Sequence, residues 1–86
     1  MRAQKRESEA GAAYENALAI QPNDYEAWVG LAAVRGALEE AGAEAEAYEQ
    51  ALKLRPAEVV AWLNLGISYT MGERMEDAEG AFRQAR

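Results

Sequence analysis

One phrase in this sequence occurs twice. Ala13-Tyr14-Glu15-Asn16-Ala17-Leu18-Ala19-Ile20-Gln21-Pro22 returns as Ala47-Tyr48-Glu49-Gln50-Ala51-Leu52-Lys53-Leu54-Arg55-Pro56, a step of 34 residues. The same step carries Trp28 to Trp62, Leu31 to Leu65 and Tyr48 to Phe82. A fixed period between about 20 and 50 residues marks a unit that cannot bury its apolar face alone and does so against its neighbours. The chain is therefore constrained to be a stack of like units, each offering one face to the unit before and another to the unit after.

Within each unit the apolar residues fall at helical spacing. Ala10, Tyr14, Ala17 and Leu18 define one stripe, and Pro22 closes that helix because the residue before a proline is pushed out of the helical region. The basic opening, with Arg2, Lys5 and Arg6, opposes the helix macrodipole and is expected to fray. Asn23 and Asp24 are ready N-caps, and Asn23 with Glu26 resembles a capping box. A second helix is expected from about Asp24 to Arg35 or Ala37, burying Trp28, Leu31 and Ala32. Gly36 and Gly42 bracket the next turn, unless the helix runs straight through both. A third helix runs to about Leu54 and a fourth from about Glu58 to Met71. That fourth helix carries Trp62, Leu65, Gly66 and Tyr69 on one side, and Gly72 breaks it. A fifth starts near Arg74 with Ala78, Phe82 and Ala85.

Helix pairs at this step, with Trp62, Leu65, Gly66 and Tyr69 on the first helix and Ala78, Phe82 and Ala85 on the second, resemble the tetratricopeptide repeat. Trp28, Leu31, Tyr48, Ala51 and Pro56 give a second unit, and Ala10, Tyr14, Ala17 and Pro22 the second half of another. The resemblance covers essentially the whole chain. It implies an all-α fold, a right-handed solenoid of about five helices in antiparallel hairpins. The units are a half repeat over 1–22, a repeat over 23–56 and a truncated one over 57–86. Tyr14, Trp28, Tyr48, Trp62 and Phe82 are expected in the core, where burying a large aromatic contributes roughly 2–3 kcal/mol. The middle unit departs from the pattern: Arg35 stands where the next unit has Tyr69, and Glu44 where it has Ala78. A buried lone charge is costly, so these two are expected to pair across their hairpin.

Composition narrows the function. The chain has no His and no Cys, which removes the commonest general base, the commonest transition-metal ligands and any thiol nucleophile. Ser8 and Ser68 have no histidine to activate them, and the glycines do not form a phosphate-cradling loop. An enzyme is not expected, nor a cofactor or metal. Fifteen acidic against nine basic residues, a net charge of −6, argue against binding nucleic acid through its phosphates. No apolar run approaches the roughly 20 residues of a membrane span, so a cytoplasmic, soluble chain is expected.

What remains is surface. On the fourth helix Leu63, Ile67, Thr70 and Met71 lie off the core stripe and form a second, largely apolar strip, matched on the second helix by Val29, Ala33 and Ala37. An unclaimed apolar strip marks an interaction site. The resemblance implies that the first helix of each pair lines a concave groove that takes a peptide or partner helix. The groove residues are then Val29, Ala33, Val60, Leu63, Asn64, Ile67, Thr70 and Met71. Members that clamp the C-terminal carboxylate of heat-shock chaperones use Lys and Asn at groove positions. Here Val29, Ala33 and Val60 occupy matching sites and only Asn64 survives, so that activity is not expected. The rival expectation is structural: a repeat segment, natural or engineered, that associates with copies of itself, by domain swapping if residues 36–42 stay helical.

Overall fold

A computed structural model describes the backbone of residues 2–85 and the side chains of residues 5–85, so the Arg2 side chain lies outside the described residues. Five helices follow one another: α1 (Arg2–Ile20), α2 (Tyr25–Ala37), α3 (Ala41–Leu54), α4 (Val59–Met71) and α5 (Met75–Gln84). Each packs chiefly on the helix before and the helix after it. The result is an α-solenoid of antiparallel helix hairpins measuring 34 × 29 × 15 Å.

The connections repeat with the helices. At the end of α2 the Glu40 N–H donates to the Arg35 carbonyl at 2.9 Å and the Glu39 N–H to the Gly36 carbonyl at 3.0 Å. Glu39 itself takes a left-handed φ of 60°. Thirty-four residues on, the Arg74 N–H donates to Tyr69 at 2.8 Å and the Glu73 N–H to Thr70 at 3.0 Å, with Glu73 at φ 61°. Both are Schellman closures, which satisfy the last carbonyls of a helix by turning one residue left-handed. The 38–40 segment is thus a turn, and α2 does not run straight through Gly36 and Gly42 into α3. Gly72, expected to break α4, keeps an ordinary φ of −88° as its C-cap; the left-handed position belongs to Glu73.

The proline turns repeat as well. The Trp28 indole N–H donates to the Pro22 carbonyl at 2.8 Å, and the Trp62 indole N–H to the Pro56 carbonyl at 2.7 Å. Each indole ties the start of a first-of-pair helix to the loop that precedes it. The cap of α2 is Asp24, whose carboxylate accepts from the Ala27 N–H at 3.1 Å. The Asn23–Glu26 capping box does not form, because Asp24 already holds the extended Ncap conformation.

Small residues let the helices approach. Ala32, Ala45, Ala47, Ala51, Ala61, Ala78 and Ala81 are buried, with Leu31, Tyr48, Leu52, Leu65 and Tyr69 filling the space between. Gly66 is required by closeness: a Cβ there would stand 2.5 Å from the Phe82 ring. Trp28, Trp62 and Tyr14 are partly buried against this core. Phe82 departs from expectation at 38% exposed. One ring face lies on Gly66, and no further helix among the described residues covers the other. Ala17, expected in the α1 stripe, is exposed for the same kind of reason.

Candidate interaction surface

The charges of the middle unit are resolved differently from the sequence expectation. Arg35 does not pair with Glu44. Its guanidinium bonds the Glu15 carboxylate at 3.3 Å and the Ala43 carbonyl at 3.1 Å. Glu15 stands one period before Glu49, and Arg35 one period before Tyr69. In the next unit the Tyr69 hydroxyl donates to Glu49. One carboxylate position on each second-of-pair helix therefore receives either a guanidinium or a phenol from the following first-of-pair helix. Glu44 instead lies against Gly36, whose missing side chain leaves it room. The signal was in the repeat: Glu15 and Glu49 recur in phase, as do Arg35 and Tyr69.

Tyr69 titrates upward from the usual phenol range, first because it is buried and then because it donates to the Glu49 carboxylate. The Arg74 guanidinium stacks 4.5 Å from its ring centre. Tyr48 is likewise raised, first by burial and then by the nearby Glu44 carboxylate. Asn64 is half-buried on α4.

The remaining groove candidates divide by helix. On α4, Val60 (66%), Leu63, Ile67 and Met71 (62%) are exposed large apolar side chains. Their spacing puts them along one side of the helix, off its packed face. Thr70 is exposed beside them, its hydroxyl donating back to the Gly66 carbonyl at 2.9 Å. On α2, Val29 is partly buried against the core and Ala33 is exposed. The structure brings a continuous apolar row together on α4; its α2 counterpart is short and shallow.

A pocket of about 320 Å³ opens elsewhere, lined by Glu49, Leu52 and Lys53 of α3 and Trp62, Leu65 and Tyr69 of α4. None of the eight groove candidates lines it. Sequence reasoning assigned Trp62, Leu65 and Tyr69 to the core and did not foresee this depression. Among the described residues no group of three or more carboxylate, His or Cys side chains could hold a metal ion. No helix among them is long and apolar enough to cross a membrane.

Solved structures share this fold. A crystal structure of MamA superposes with a TM-score of 0.87 at 24% identity, covering 93% of this chain and 47% of that one. MamA AMB-1 gives 0.88 at 23% identity, over 98% and 49%. MamA MSR-1 gives 0.87 at 21% identity, over 98% and 48%. The chain spans about half the length of these proteins, and at such identities the likeness establishes the fold alone. No protein-family model matches the sequence, and no curated protein does.

Proposed function

We propose that the chain is a protein-interaction module, not an enzyme, whose α4 row receives an extended or helical peptide from a protein partner. The observation that supports this most directly is the exposure of Val60, Leu63, Ile67 and Met71 together on one helix side. Four large apolar side chains left in water on one side of a helix that buries Ala61, Leu65 and Tyr69 on the other are the ordinary mark of a docking surface. Val29, Ala33, Asn64 and Thr70 complete the site, and the flexible Met71 suits contacts that adapt to sequence. Neither nucleic acid nor membrane belongs to this reading, since the net charge is −6 and would repel phosphates.

Selection from a random peptide library followed by titration of the captured peptides tests it. Leu63→Glu with Ile67→Glu should weaken capture at least about tenfold, a loss near 1.4 kcal/mol. Helical content and Tm should be unchanged, because both positions are exposed. Capture that survives the double substitution puts the site elsewhere.

The second reading is self-association, supported by Met75 and Phe82 exposed on α5 and Ile20 exposed at the end of α1. Sedimentation from micromolar to millimolar chain separates the two. A strict monomer over that range removes it.

A further inference from the structure

Two charged groups lining the α3–α4 pocket are spaced to bond each other and do not. Glu49 and Lys53 stand four residues apart on α3, carboxylate first, which is the favourable order for an ion pair along a helix. On α5 the same spacing closes, with Glu79 and Arg83 3.1 Å apart. No ion pair among the described residues includes Glu49 or Lys53. Both border the pocket of about 320 Å³ instead. The Tyr69 hydroxyl of α4 donates to the Glu49 carboxylate, and the exposed Lys53 forms part of the rim. Buried Leu52, Leu65 and Tyr69 make the floor, and the half-buried Trp62 ring makes a wall. One period earlier Glu15, Ala19 and Arg35 stand at the matching places. There the Arg35 guanidinium takes the carboxylate at 3.3 Å, and Ala19 supplies no cation. An anion and a cation side by side over an apolar floor are thus a property of the α3–α4 layer.

From this we infer that the pocket is a ligand site for a free α-amino acid with a large apolar side chain. The ligand's ammonium donates to the Glu49 carboxylate, its carboxylate accepts from the Lys53 ammonium, and its side chain lies on Leu52, Leu65 and Trp62. A carboxylate accepts several hydrogen bonds, so the Tyr69 contact is kept. Charge selects the class. An amine without a carboxylate would set a second cation beside Lys53, and an acid without an amine a second anion beside Glu49, both unfavourable. A zwitterion answers both groups at once. Inside the pocket the polar atoms of the aromatic residues already have partners, since the Trp62 N–H donates to the Pro56 carbonyl and the Tyr69 hydroxyl to Glu49. A polar side chain there would lose its water without replacement, so the ligand's side chain is apolar. The volume stands at the lower end of the range for small-molecule sites, which begins at about 300 Å³, and matches one amino acid better than a nucleotide. The site is independent of the α4 row, none of whose residues lines it.

Titration of the intact chain with L-phenylalanine, followed by calorimetry and by the Trp62 indole resonance in NMR spectra, should show saturable binding of one molecule per chain. Phenethylamine and phenylpropionate, each lacking one of the two charges, should bind at least about tenfold more weakly. Lys53→Ala installs the residue of the preceding layer, and Glu49→Gln keeps an acceptor for Tyr69. Each should weaken L-phenylalanine at least about tenfold with helical content unchanged, while Leu63→Glu with Ile67→Glu should leave binding alone. Absence of saturable binding overturns the inference, as does binding that either α3 variant leaves unchanged. Equal affinity for the amine, the acid and the amino acid also overturns it, leaving an apolar hollow without selectivity. So does binding of a peptide that ends in phenylalanine where the free amino acid fails, which would make the occupant a chain terminus.

Discussion

At the scale of single residues, the position shared by Glu15 and Glu49 shows how a repeat absorbs variation. A carboxylate accepts a guanidinium or a phenol equally well, so Arg35 and Tyr69 are interchangeable answers to the same neighbour. Arg35→Tyr should therefore cost less than about 1 kcal/mol in urea unfolding, well inside the ordinary range for single substitutions. Glu15→Ala should cost about 0.5–1 kcal/mol, as expected for a partly exposed ion pair, and Glu44→Ala clearly less. A larger loss at Glu44 than at Glu15 would restore the pairing read from sequence. The tyrosines add a pH dependence. Tyr25, Tyr48 and Tyr69 all titrate above the usual phenol range, each chiefly through burial. A phenol raised in the folded state keeps its proton there longer than in the unfolded chain. Its contribution is complete below pH 10 and lost as pH rises above it. Melting temperature should fall steeply above about pH 10, and Tyr69→Phe should flatten that fall.

At the scale of elements, the two Schellman turns carry an avoidable strain. Glu39 and Glu73 occupy left-handed backbone, where a side chain costs roughly 1–2 kcal/mol and glycine costs little. Glu39→Gly and Glu73→Gly should each stabilise the chain by about 0.5–1 kcal/mol, after the extra entropy of glycine in the unfolded state. Urea midpoints measured for both variants check this, and a loss of stability at either would mean the carboxylate there has a role its backbone does not reveal. The repeat explains why both turns share the feature. The hairpin geometry fixes the left-handed residue at one place in the period, whatever side chain stands there.

At the scale of the whole molecule, contacts run chiefly from each helix to its neighbours, so stability adds up along the stack. The inner helices are held from two sides and the ends from one. Native-state hydrogen exchange should accordingly find the slowest amides in α2, α3 and α4, with α5 opening first at the C-terminal side. Uniform protection across the five helices would instead indicate a single cooperative unit. One-sided packing also explains Phe82 and Ile20: both are apolar because the period places an apolar residue there, and both are exposed because no helix among the described residues packs over them.

The sequence by itself determined the helices, their order and the burial of Leu31, Tyr48, Leu65 and Tyr69, because a 34-residue period repeats local chemistry and neighbour chemistry together. It also placed the apolar row on α4 through helical spacing alone. Tertiary structure decided what spacing cannot express. It chose Glu15 over Glu44 for Arg35, since the choice depends on which carboxylate the preceding helix brings within reach. It put the left-handed residue at Glu73, one past the Gly72 that caps α4, where the closing hydrogen bonds require it. And it separated Ala17 from Ala51, two identical residues in identical phase, because burial belongs to the neighbour and not to the side chain.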